Sequence, residues 1–178
     1  MRMKSRKILA PLMAAIACCV FLVPQHGVAQ SELDALRAYE GTWKAETDYV
    51  ESAHSRARHE SATLRNECWK SGQYFVCDQF VNGESKALLV FTYNADKKIY
   101  ASNPIMPNGE DAGSGTLIIQ GNEWTFPWTS GDGDEKVYYR VVNVFVSAEK
   151  IEMREEYSND GTTWKPMAHG VETRVAGS

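Results

Sequence analysis

From Thr42 onward the chain is written in short runs rich in β-branched and aromatic residues, interrupted by pairs that tolerate a positive φ. Asn82-Gly83, Gly121-Asn122 and Asp160-Gly161 are the clearest of these joints. Hairpin loops of two or slightly more residues need such pairs, because their backbone enters the left-handed region. The pattern predicts strands at 42–51, 57–69, 73–81, 85–93, 98–104, 114–120, 123–129, 136–147, 150–158 and 163–174. Past Gly41 no stretch longer than a few residues keeps a helical period. About ten strands joined in sequence form an antiparallel meander, and closing it into a barrel removes both exposed edges. The predicted fold is therefore all-β.

Ahead of the first strand, Ser31-Glu-Leu-Asp34 reads as a helix start, with Ser31 as N-cap and Asp34 three residues on. Leu33, Leu36 and Tyr39 then share one face, and Gly41 can end the segment. A short helix with one apolar face is expected to plug one end of the barrel. The longest irregular stretch, Pro104 to Gly113, is expected to be a rim loop whose only polar chemistry is Glu110 and Asp111.

The first residues are basic, Ile8 to Val23 are apolar, and Pro24 and Gly27-Val28-Ala29 follow, which is the layout of a cleaved secretory signal over residues 1–29. Two alternatives stand beside it. A retained anchor needs about 20 apolar residues, and this run is shorter and interrupted by Pro11. Lipoprotein processing at Cys18 is the other, since Ala15-Ile16-Ala17-Cys18 loosely resembles a lipobox. The domain is then 30–178, periplasmic or secreted, with no stable membrane insertion after cleavage.

Cleavage removes four basic residues and no acidic ones, leaving 15 basic against 23 acidic residues, a net charge of −8. The remaining Lys and Arg are scattered among more numerous carboxylates, so neither nucleic acid nor a bare anionic membrane surface is an expected partner. Two of the four cysteines leave with the signal. The pair that stays, Cys68 and Cys77, lies in an oxidising compartment and flanks a turn at Ser71 to Gln73, so a cross-strand disulfide is expected. A redox-active pair usually shows Cys-x-x-Cys at a helix start, a pattern absent here.

Gly41-Thr42-Trp43, following a short helix and opening the first strand, resembles the Gly-x-Trp motif of lipocalins and other calycins. Glu67-Cys68-Trp69 with Gly72 and Val76-Cys77, the hairpin Phe91 to Tyr100, Trp124-Thr-Phe126 and Glu156 to Trp164 together resemble a bacterial family of secreted, lipocalin-like proteins of unknown function. The resemblance spans nearly all of the mature chain. It implies a calycin-like barrel and no particular reaction, and the analogy to lipocalins implies a small apolar ligand.

Four residues are the candidate ligand contacts: Trp43, Tyr100, Met167 and His169. Trp43 is either a wall of the cavity or a plug at the barrel bottom. His169 falls on the face of Met167, Val171 and Val175, which could point inward. There it is either a hydrogen-bonded core or rim residue or, as in the nitrobindin-like barrels this placement resembles, a haem ligand. Trp69, Trp124, Trp128 and Trp164 could stack sugars, but large aromatics in a small barrel mostly fill core or cap a rim. Trp124, Phe126 and Trp128 alternate on one face, and Pro127 between them marks an edge or a bulge where the wall could open.

His54 and His59 border a polar turn and read as surface residues. Asp132 to Glu135 lacks an oxygen ligand at Lys136 and reads as a solvated turn, not a calcium loop. If Ile151, Met153, Glu155 and Tyr157 face inward, Glu155 needs a cationic partner, for which Arg65 and Arg140 are candidates. No nucleophile–base pair, metal-ligand spacing or phosphate loop stands out, so neither an enzyme nor a bound cofactor is expected. The choice lies between a barrel that holds a small apolar or amphipathic ligand and a filled barrel with a structural or envelope-interaction role.

Overall fold

A computed structural model of the chain describes residues 32–110 and 113–177. The signal segment, Cys18 and the Ser31 cap lie outside the described residues. Ten strands follow one another: β1 (Gly41–Tyr49), β2 (Arg58–Ser71), β3 (Tyr74–Val81), β4 (Glu84–Asn94), β5 (Ile99–Ile105), β6 (Gly115–Gln120), β7 (Glu123–Ser130), β8 (Val137–Ser147), β9 (Lys150–Ser158) and β10 (Lys165–Arg174). Each pairs antiparallel with its chain neighbours, and β1 pairs with β10 from Trp43↔Arg174 to Tyr49↔Ala168, so the meander is a closed barrel with a short helical segment at its N-terminal side. Each strand end lies within two residues of its expected place. The turn chemistry explains this: Asn82 and Gly83 both take positive φ, 53° and 86°, as the tight β3–β4 hairpin demands.

The helical segment, a single turn at Glu32–Asp34 continuing as a 3₁₀ helix over Ala35–Tyr39, lies across the end where β1 begins. It buries Leu33 and Leu36 against Phe75, Phe91, Tyr100, Leu117 and Trp124. Trp43 is fully buried beneath it and donates from Nε1 to the Tyr39 carbonyl at 3.2 Å. Arg174, in register with Trp43 on the next strand, lays its guanidinium over the indole at 4.1 Å and donates to the carbonyls of Glu40 and Ala38. A cation held against a ring face and hydrogen-bonded to the carbonyls of a helix end is favourable on both counts. This end of the barrel is closed.

Sheet pairing is thinnest around β6. It meets β5 over Tyr100↔Leu117 to Ser102↔Gly115 and β7 over Ile118↔Thr125 to Gln120↔Glu123. Beyond Thr125, β7 continues in register with β8 alone, and Pro127 sits in that stretch opposite Arg140. A residue without an N–H is tolerated where the ladder has ended on one side. The wall is therefore a single-sided edge here, between the upper part of β7 and the loop that leaves β5.

Three register shifts interrupt the ladders, at Gln79/Phe80, Phe145/Ser147 and Pro166/Ala168. The last one changes a functional expectation. Met167 and Ala168 are both buried at this bulge, and past it Ala168, Gly170, Glu172 and Arg174 are in register with the inward residues Tyr49, Thr47, Ala45 and Trp43. An extra residue in one strand inverts the side-chain alternation that follows it. His169 and Val171 therefore face outward.

Candidate functional site

Between the plug and the middle of the barrel lies an interior cavity of about 290 Å³. Its floor is Leu36 and Tyr39, and its walls include Leu89, Phe91, Trp124, Phe126 and Val141. These side chains converge because they occupy inward positions of β4, β7 and β8: Trp124 faces Asn143 across one ladder, and Phe126 faces Val141 two residues on. Trp124 packs on Phe145 with ring centroids 4.6 Å apart. The disulfide joins Cys68 and Cys77 directly across β2 and β3, and Cys77 contributes to the wall.

Four polar side chains interrupt this apolar lining, Asn66, Gln79, Ser102 and Asn143. Asn66 donates from Nδ2 to the Tyr39 carbonyl at 3.1 Å and accepts from Gln79 Nε2 at 3.4 Å. Asn143 is 5 % exposed, and its Oδ1 has no hydrogen-bond partner among the described residues. Buried polar atoms are nearly always paired, so an orphan acceptor in a cavity wall marks a place where something else supplies the donor.

A second orphan lies just behind the wall. Glu172 is buried, receives the Tyr39 hydroxyl on Oε1 at 3.3 Å, and leaves Oε2 unpartnered. Burial pushes the Glu172 carboxyl up to about 7, with the Tyr39 hydrogen bond working the other way. Burial, then the adjacent carboxylate, pushes the Tyr39 hydroxyl well above its ordinary range, so it remains a donor.

The opposite end of the barrel is polar and aromatic. The 50–57 connection brings the exposed His54 onto the rings of Tyr139 and Tyr157, at 5.5 and 4.5 Å, with a 3.1 Å hydrogen bond between Tyr139 OH and His54 Nδ1. Arg58 stands 3.5 Å over the Tyr49 ring and donates to Glu60 at 2.6 Å. Glu155 does face inward, in register with Val141 and Ala168. Burial raises its carboxyl and Arg58 opposes the rise. The cation near Glu155 is thus Arg58, not Arg65 or Arg140. Those two point outward, Arg65 to Glu67 and Arg140 to Glu156, with Arg140 also lying over Trp164 at 4.0 Å.

None of the four expected ligand contacts lines the cavity. Trp43 belongs to the plug. Tyr100 is buried under the helical segment and donates its hydroxyl to the Glu32 carbonyl at 3.0 Å. Met167 is buried at the β10 bulge. His169 is on the outer surface, its side chain 69 % exposed and its Nε2 3.8 Å from Asp48, so it cannot ligate a haem held inside. His59 is also exposed and bridges Asp48 at 2.7 Å and Glu46 at 3.1 Å, carboxylates that raise its pKa.

The tryptophans form no common platform: Trp69 is on β2 near the plug, Trp128 stacks on Tyr139 towards the other end, and Trp124 is buried. Asn143, Gln79 and Ser102 were within reach of sequence reasoning as polar residues inside strand patterns, but only correct strand parity separates them from outward polar residues.

A wider groove of about 710 Å³ runs outside the barrel beside the plug, lined in part by Arg37, Arg65 and Arg174. It is open to solvent, and its arginines are already engaged, Arg37 by Glu40, Arg65 by Glu67 and Arg174 by backbone carbonyls. The interior cavity is the better candidate.

No protein-family model and no curated protein matches the sequence. Among solved structures, the chain is similar to that of Rv2717c from M. tuberculosis, at 11% identity and a TM-score of 0.44, over 81% of this chain and 97% of that one. A likeness of that degree carries no inference about what this chain does.

Proposed function

We propose that this chain is an exported binding protein that holds one small, mostly apolar molecule inside its barrel. The observation that carries this reading is the cavity itself, about 290 Å³ with aromatic and aliphatic walls and an unpartnered Asn143 acceptor. Ligand sites are typically concave and apolar with a few placed polar groups, and this one stands near the lower end of their usual range of about 300 to 1,000 Å³. The single-sided wall beside Pro127 supports access from solvent without unfolding the plug. The Cys68–Cys77 bond supports an oxidising location, periplasmic or extracellular. Among the described residues no helix is long and apolar enough to cross a membrane.

Native and denaturing mass spectrometry on residues 30–178, exported to a bacterial periplasm, tests the reading. The expected result is added mass that vanishes on denaturation, or one-to-one uptake of the neutral probe N-phenyl-1-naphthylamine, and loss of both in a Ser102→Leu variant that fills the cavity. A bare native mass together with no uptake of the probe would overturn it and leave a filled, structural barrel.

A further inference from the structure

We propose that the cavity selects an uncharged guest that combines an apolar body with a hydrogen-bond donor, a phenol or alkanol type of molecule, and excludes carboxylates of the same shape. This rests on the reading of the barrel as a binder. It goes further by assigning the polarity of the guest.

Asn66 Nδ2 gives one hydrogen to the Tyr39 carbonyl and Gln79 Nε2 gives one to Asn66 Oδ1, so both amides turn a donor to the protein itself. Among the described residues the two buried side-chain atoms without a partner, Asn143 Oδ1 and Glu172 Oε2, are both oxygens. Asn143 stands in the wall, and the terminal torsion of an asparagine is broad, so a small swing presents its oxygen to a guest at little cost. Glu172 lies behind Tyr39 with no guest contact of its own, and when ionised it adds negative potential to the same end of the cavity.

Among the described residues no charged side chain lines the cavity. A guest carboxylate would therefore lose its hydration and gain no cation, which is strongly unfavourable. A guest hydroxyl, by contrast, supplies the donor that Asn143 lacks, and sites that leave a buried acceptor unpaired discriminate sharply against analogues without the donor.

Isothermal titration of residues 30–178 with 4-ethylphenol, ethylbenzene and 4-ethylbenzoate, at pH 6, separates the claims. The expected result is that 4-ethylphenol binds at least tenfold more tightly than either of the others. Asn143→Leu should erase its advantage over ethylbenzene. Asn143→Ala is the second variant should the first fail to give a cooperative melt. Equal or tighter binding of 4-ethylbenzoate overturns the proposal, as does equal binding of 4-ethylphenol and ethylbenzene, and in either case the binder reading survives. Failure of all three compounds to bind overturns the proposal, and together with a bare native mass and no uptake of N-phenyl-1-naphthylamine it overturns the binder reading as well.

Discussion

Glu172 is buried behind Tyr39 with Oε2 unpartnered, and burial pushes its carboxyl up to about 7. In the unfolded chain an ordinary Glu titrates near 4.5. Between those two values the folded protein holds more protons, so stability falls as pH rises through this window and stays reduced above it. The loss amounts to about 3 kcal/mol by linkage. Glu172→Gln should therefore be more stable than the parent at pH 8 by roughly that amount, with the gain shrinking towards pH 4.5, read from urea midpoints at the two pH values. Arg174 makes the opposite kind of contribution, since it ties the plug to the last strand through Trp43 and two carbonyls. Removing charge-assisted hydrogen bonds of this type costs about 2 to 4 kcal/mol in total, so Arg174→Ala should lower the urea midpoint accordingly. Neither role was legible beforehand. Alternation makes Glu155 an inward carboxylate if Ile151 faces in, but its cation, Arg58, is a rim residue on a distant strand, and linear spacing gives no reason to prefer it over Arg65 or Arg140.

The strands themselves were legible, because turn pairs such as Asn82-Gly83 bracket them and backbone conformation at those pairs is a local property. The Cys68–Cys77 bond was legible for the same reason, being a direct cross-strand pair around one hairpin. With a sequence separation of 9 between the partners, the chain-entropy model gives it about 2 to 3 kcal/mol. Cys68→Ala/Cys77→Ala should melt lower by at least that equivalent, since Cys77 also packs in the core, and still fold, because the closed ladder and the rest of the core stay in place. The β10 bulge was not legible. Pro166 points to an irregularity, as a proline inside a strand does, but does not say that Met167 and Ala168 both turn inward, and the expected place of His169 follows from an alternation that the bulge inverts. Gly170 is the residue that permits the close approach of β10 to β1 just past the bulge. A Cβ there would meet the Glu46 carbonyl at 2.8 Å and Thr47 Oγ1 at 2.9 Å. Gly170→Ala should cost about 1 to 3 kcal/mol as an overpacked site, a larger loss than Gly115→Ala, where the nearest atom is 3.8 Å away.

At the scale of the whole molecule, ten antiparallel strands close through β1 and β10, and a helical plug seals one end. Closure follows from the number of strands and the need to remove edges, which is why the architecture could be anticipated. Whether such a barrel is hollow depends on the parity of every strand at once, and a single register error exchanges interior for exterior. Trp43 and Tyr100 do face inward but sit under the plug and not along the cavity, which leaves Trp43 with the second of its two expected roles, while only that parity tells the polar stripe of Asn66, Gln79, Ser102 and Asn143 from outward polar residues. The hollow interior is what separates a binding protein from a filled scaffold, and open space between apolar side chains such as these takes up xenon. A crystal structure of residues 30–178 under xenon pressure is the most direct test. The account predicts xenon density among Leu89, Phe91, Trp124, Phe126 and Val141, above Leu36 and Tyr39. Side chains filling that space with no xenon between them would contradict it.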